Sequence, residues 1–262
     1  MEKVISADGT PIAFERSGEG PAVILVGGAF NDRGSAAPLA ELLAPGLTAV
    51  RYDRRGRGDS GDTPPYDVAR EIEDLAALVA EIGGRPALFG LSSGGALALR
   101  AAAAGVPVSR VAVYEVPFVP DDEGAREHAR RRGDALRALL DEGRRADAVV
   151  EFMTGIGMPP EMAQGMRHAP MFPALEAIAH TLVYDHEVIA ADAGGSIPAD
   201  LAAGVAVPAL VAYGGASPDP MKEVARRLAE LLPAGGHAEL AGQSHDAAPG
   251  ALAPALTAFF AG

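Results

Sequence analysis

The sequence predicts an α/β fold: a mostly parallel central sheet, flanked by helices and interrupted by one helical insertion. Three observations predict it. Short apolar runs alternate with amphipathic stretches through the first half of the chain. Those runs are apolar at nearly every position, as strands covered on both faces are. The alternation then lapses across the middle of the chain and resumes near the end.

Taken in order, the AVILV run at 22–26 reads as a strand that stops at Gly27-Gly28. Residues 48–52 read as a second strand, ending at Asp53. Val68, Ile72, Leu75, Val79 and Ile82 then recur at spacings of three and four, one face of a helix capped by Asp67 and stopped by Gly83-Gly84. Residues 86–89 and 111–114 read as the third and fourth strands. No strand-like run occurs between Pro120 and Pro198; an Arg-rich stretch (Arg126, Arg130, Arg131, Arg132, Arg137) is followed by a Met-rich one (Met153, Met158, Met162, Met166, Met171). Strand logic returns at 208–213, followed by a helix at 220–232, a short strand near 238–240 and a final helix at 249–260. The expected organisation is a core of residues 1–118 and 199–262, with an insertion over 119–198.

Bulk properties exclude several classes of function. With 35 acidic against 22 basic residues and a net charge of −13, the surface is not built to neutralise phosphates, and it repels anionic membranes. There is no cysteine, which removes disulfides, thiolate catalysis and Cys-ligated zinc. The MEKVISADGT start carries no basic segment followed by an apolar one, and no apolar stretch is long enough to span a bilayer. A soluble cytoplasmic protein is expected, with a small-molecule substrate and neither a nucleic-acid nor a membrane partner; nothing in the sequence sets an oligomeric state.

The chemistry is carried by Gly90-Leu91-Ser92-Ser93-Gly94, a G-x-S-x-G segment between the third strand and an Ala-rich helix. This is the context a nucleophile elbow needs. A serine held in a strained turn requires almost no side chain two positions before and after it, which Gly90 and Gly94 provide. The helix that follows aims its N-terminal N–H groups at a developing negative charge. Gly95, Ala96 and Ala98 let that helix approach the sheet closely. Ser93 sits one residue late for the glycines and suits an N–H donor better than a nucleophile.

At this point the chain resembles the α/β-hydrolase family over essentially its whole length. AVILVGGAF resembles the strand that in the family ends in His-Gly, with Gly27 standing where His is usual. VRYDRRGRGDSG resembles the next strand and loop, LFGLSSGGALAL the elbow, and GQSHD the late loop that carries the family's histidine. The resemblance implies an α/β-hydrolase fold with a helical lid over the serine. It implies Ser92 as nucleophile and His245 as general base. For the triad acid the favoured position is Glu115, which follows the strand after the elbow helix: a carboxylate ending an apolar strand needs a partner, and His245 would supply it. The alternative is Asp219, just past the place where a serine, Ser217, replaces the more usual Asp. The oxyanion hole would pair the N–H of Ser93 with that of Ala29, or failing that Phe30. The lid would bring Phe152, Met153, Met158, Met162, Met166, Met171 and Phe172 to an adaptable apolar pocket that Phe30 also lines, with His180 and Tyr184 as polar contacts.

The expected function is hydrolysis of a small to medium apolar ester, lactone or related carbonyl compound through an acyl-enzyme, without metal or organic cofactor. Carbon–carbon bond hydrolysis would use the same triad. A serine at the elbow argues against dehalogenase and epoxide-hydrolase chemistry, which in this fold uses an Asp. The alternative is a non-hydrolytic protein of the same fold: a lyase, a cyclase or a ligand receptor. Gly56-Arg57-Gly58-Asp59-Ser60-Gly61 spells G-x-G-x-x-G, but Pro64-Pro65 interrupt where a dinucleotide-binding helix should open. The arginines of the insertion are interleaved with Glu127, Asp134, Asp141 and Glu142, the pattern of a solvated helix face.

Overall fold

A computed structural model describes residues 1–261. In chain order it comprises β1 (Glu2–Ile5), β2 (Pro11–Ser17), β3 (Ala22–Val26), α1 (Ala37–Leu43), β4 (Thr48–Tyr52), α2 (Val68–Ile82), β5 (Ala87–Leu91), α3 (Ser93–Ala103) and β6 (Val111–Tyr114). Helices α4 (Glu123–Asp141), α5 (Arg145–Gly155), α6 (Pro160–Gly165), α7 (Phe172–Ala177), α8 (Leu182–Ala190) and α9 (Ala199–Gly204) follow. The chain closes with β7 (Ala209–Gly214), α10 (Asp219–Leu231), β8 (Gly235–Leu240) and α11 (Pro249–Ala261). The eight strands form one sheet in the order β1-β2-β4-β3-β5-β6-β7-β8. Pairing is parallel from β4 through β8 and antiparallel only where β2 meets β1 and β4. This is the α/β-hydrolase fold.

The local reasons are those of the pattern. Val23, Ile24, Leu25 and Val26, and all four residues of β6, are buried, because helices cover both faces of the central strands. Asp67 caps α2 through its carboxylate, which accepts from Ala69 N–H at 2.7 Å. Two elements escaped the sequence pattern. The β1–β2 hairpin lies at the sheet edge, where β1 is mostly exposed and offers no apolar run, and α1 is a short helix opened by Pro38. The ends of the excursion between β6 and β7 are tied by a parallel bridge between Val119 and Ser196. Within it α8 lies against α3: the Arg100 guanidinium of α3 donates to the Val188 carbonyl at 2.6 Å and pairs with Asp192.

Candidate active site

The parallel strands all deliver their carboxyl ends to one rim of the sheet, where ligands bind in open α/β folds. Ser92 stands at the tip of β5 with φ 55° and ψ −126°, outside the regions an L-residue adopts without strain. Two glycines make the turn possible by close approach: a Cβ on Gly90 would collide with the Gly94 carbonyl, and one on Gly94 with the Val26 carbonyl. The Ser92 N–H is tied to the Tyr114 carbonyl at 2.9 Å, so β5 and β6 end side by side.

Glu115 directly follows β6, and its carboxylate is fully buried. His245 Nδ1 lies 3.0 Å from its Oε2. Its Oε1 accepts from the Gly214 N–H at 2.9 Å and from the Ser217 hydroxyl. Burial alone would raise the Glu115 pKa, but the hydrogen bonds from His245, Ser217 and Gly214 outweigh it and hold the group below the ordinary carboxylate range. Since an ionised carboxylate only accepts, Nδ1 of His245 is the donor in this pair, which leaves Nε2 free of Glu115. The histidine loop is held from below: the Tyr114 hydroxyl donates to the Ser244 carbonyl at 2.6 Å, and the Ala216 N–H to the Gln243 carbonyl at 2.8 Å. Asp219, the other candidate acid, opens α10 with an 88% exposed side chain paired to Lys222 at 3.1 Å. The hydroxyl that stands at the family's usual acid position, Ser217, thus donates to the carboxylate that stands elsewhere.

On the other side of Ser92 runs the loop after β3. A Cβ on Gly28 would sit 3.0 Å from Ser92 Cβ and 3.6 Å from its Oγ, so the loop crosses directly at the serine. The Asn31 side chain accepts from the Gly28 N–H at 3.0 Å, and Phe30 takes φ 60°. Among the described residues, nothing accepts from the N–H of Ala29, Phe30 or Ser93. Sequence reasoning missed what lies beneath this loop. Arg54 and Arg57, both buried, reach the Gly27 and Gly28 carbonyls and meet on Asp185 of α8, to which the Ser93 hydroxyl also donates at 2.7 Å. A signal existed: Asp185 lies between Leu182 and Val188 on the buried stripe of its helix, where a carboxylate needs partners.

The insertion has its own apolar core of Leu136, Ala148, Val149, Ala163, Phe172 and Leu182. Ala29 and Phe30 pack against it, together with Phe152, Met153, Met158 and Met166. Phe30 meets Phe152 edge-on with ring centroids 5.3 Å apart. Met162 and Met171, expected beside them, are 60% exposed. His180 and Tyr184 turn instead to the core: the Tyr184 hydroxyl donates to Asp62 at 2.9 Å, and His180 Nε2 lies 3.4 Å from the same oxygen. His180 sits in a 3-10 turn that precedes α8, which carries Tyr184. A cavity of about 130 Å³ adjoins Gly27 and Leu91, walled by Leu25, Leu39, Phe89 and Leu252.

A strained serine at a strand tip, a buried carboxylate paired with a histidine and a loop of unpaired N–H groups thus meet at one rim of the sheet. The sequence profile described as the alpha/beta hydrolase family matches residues 23–255, and the chain belongs to that family. An alpha/beta hydrolase from Sphaerobacter thermophilus is 51% identical, with a TM-score of 0.87, covering 99% of this chain and 100% of that one. A thermophilic esterase from Thermogutta terrifontis, solved with malate bound, is 23% identical with a TM-score of 0.71, over 99% of this chain and 96% of that one. The uncharacterized hydrolase YraK of Bacillus subtilis is 34% identical over 99 residues, so the match spans only 36% of either protein. No helix among the described residues is long and apolar enough to cross a membrane.

Proposed function

We propose that this protein is a serine hydrolase that cleaves small to medium apolar esters, lactones or related carbonyl compounds through an acyl-enzyme. One observation carries the reading. Among the described residues, the non-glycine residues with positive φ are Phe30, Ser92 and Glu115. Left-handed backbone at such residues costs about 1–3 kcal/mol each, persists only where the surrounding structure enforces it, and clusters at active sites. Here it falls on the oxyanion loop, the nucleophile and the acid, and on no other side chain among the described residues. In this reading His245 Nε2 takes the Ser92 proton, Oγ attacks the carbonyl carbon, and the N–H groups of Ala29 and Ser93 receive the developing oxyanion. His245 then returns the proton to the leaving group and activates the water that releases the acyl chain. Glu115 orients the imidazole and stabilises its charged form. Residues 119–198 act as the lid, and Phe30, Phe152, Met153 and Met158 supply apolar wall.

The test is intact-protein mass spectrometry after a fluorophosphonate probe, with hydrolysis of p-nitrophenyl butyrate alongside. One adduct per wild-type chain, absent in Ser92→Ala, is the expected result. A folded wild type that neither labels nor turns over the ester would sink the proposal.

A further inference from the structure

Two buried arginines are left over from the triad chemistry. Arg54 and Arg57 have side chains only 1% exposed, and neither faces solvent or an apolar substrate wall. Arg54 grips Glu71 of α2 with Nε and one terminal nitrogen at 2.7 and 2.6 Å. Its other terminal nitrogen lies 2.6 Å from Asp185, 3.2 Å from the Gly27 carbonyl and 3.4 Å from the Ser93 hydroxyl. Arg57 donates to the Gly28 carbonyl and, through its second terminal nitrogen, to Asp185 at 2.7 Å. Burial works against ionising Asp185, yet the charges of Arg57 and Arg54 overcome it and keep its pKa below the ordinary range.

We propose that Arg57, braced by Asp185 from α8, is a positioning residue for the oxyanion hole, through which the insertion holds the Gly28–Ala29 peptide and Ser93 in register with Ser92. The inference rests on the serine-hydrolase reading. Its physical basis is the planarity of the peptide unit. The Gly28 carbonyl and the Ala29 N–H belong to one trans peptide, so they point in opposite directions and cannot be aimed independently. A guanidinium that fixes the carbonyl on the buried side therefore fixes the N–H on the Ser92 side. A positive charge on the carbonyl oxygen also polarises the unit and strengthens its N–H as a donor. Asp185 completes the frame by accepting from the Ser93 hydroxyl, which holds the residue that carries the second N–H. A single carboxylate from the insertion thus links both oxyanion donors, and Arg100 of α3 clamps the helix that bears it.

The test compares Arg57→Met with Arg55→Lys. Arg55 is an equally buried neighbour that pairs with Asp74 and Asp8 and touches neither the oxyanion loop nor Asp185. The measurements are kcat and KM for p-nitrophenyl butyrate, the inhibition constant of a phenylboronic acid, whose tetrahedral adduct uses the oxyanion hole, and the thermal midpoint. In Arg57→Met kcat should fall about 100-fold, the range for loss of one oxyanion donor. KM should stay within about threefold, and boronate binding should weaken in parallel with kcat. Arg55→Lys should lose thermal stability but keep kcat. A folded Arg57→Met with kcat within threefold of wild type, or a loss confined to KM, overturns the proposal. Ser93→Ala keeps every charge and every N–H and removes only the hydroxyl, with its bond to Asp185 and its 3.4 Å contact to Arg54, so it decides the matter even if Arg57→Met does not fold. An approximately fivefold lower kcat at unchanged KM supports the proposal, and wild-type kcat overturns it. A wild type inactive in both labelling and turnover would instead fell the hydrolase reading, and this inference with it.

Discussion

The two flanks of Ser92 are built on opposite principles. On the His245 side, one buried carboxylate is satisfied by neutral donors, the Gly214 N–H and the Ser217 hydroxyl, and by an imidazole that is 42% exposed. On the oxyanion side, the framework consists of permanently charged guanidinium groups paired with carboxylates out of reach of water. In the proposed mechanism the first flank changes charge during turnover, which suits a histidine near solvent and a partner held by bonds that survive the change. The second holds still while charge develops, which suits ions with no low-energy alternative arrangement. One flank is suited to proton transfer, the other to rigidity.

That contrast breaks first in the kinetics. Glu115→Gln keeps the shape of the acid but lets the imidazole settle in the wrong tautomer, and kcat for an aryl ester should fall about 10³- to 10⁴-fold. Asp219→Asn, at the exposed alternative, should leave kcat within about twofold. Steady-state assays on the two variants decide between the carboxylates in one experiment. The contrast next appears in stability. Glu71→Gln removes one buried charge from Arg54 and should cost about 3–5 kcal/mol in urea unfolding. Ser217→Ala removes one donor to Glu115, which keeps His245 and Gly214, and should cost about 1.5–3 kcal/mol.

These differences track what was legible beforehand. Ser92 and the glycines around it form one contiguous segment whose spacing is itself the steric requirement, so the elbow can be read from six letters. The central strands were legible because burial on both faces leaves no polar position; β1 was not, because an edge strand needs no apolar run. Glu115 directly ends an apolar strand, which favoured it as a buried carboxylate in need of a partner, whereas Asp219 follows its strand at a distance and opens a helix in solvent. The arginine cluster was hidden most deeply. Asp185 lies 131 residues from Arg54 and 128 from Arg57, and Arg57 fell within a stretch whose spelling drew attention to nucleotides instead. Likewise Met162 of α6 and Met171, just before α7, are exposed while Met153 and Met158 pack inward, because α6 and α7 are six residues each and too short to sustain one apolar stripe.

A smaller effect sharpens the comparison through pH. The folded-state pKa of Glu115 is depressed, so its ionisation adds stability that is fully present at neutral pH. As pH falls below about 4.3, the ordinary glutamate value, the unfolded chain takes up a proton before the folded one does, and that contribution is lost on the way down to the lowered folded value. Glu115→Gln has no such proton to bind. Urea unfolding of both proteins from pH 7 to pH 3.5 should show the stability gap between them narrowing on the acid side. A gap that stays constant would mean that Glu115 titrates alike in both states and that its hydrogen bonds add nothing to its ionised form.

The smallest expected effect tests burial against mere pairing. Arg130 of α4 is as richly paired as Arg54, with both Glu127 oxygens and Asp134 within 3.1 Å, but its side chain is 60% exposed. Water solvates these charges whether or not they meet, and holding two long side chains together costs the entropy that the contact returns. Arg130→Gln should therefore leave both the unfolding midpoint and kcat unchanged. Added salt should do as little, because it screens only interactions that already contribute almost nothing. If Arg130→Gln destabilised the protein as much as Glu71→Gln, the number of ion pairs would matter and their burial would not, and the rigidity assigned to the oxyanion flank would lose its physical basis.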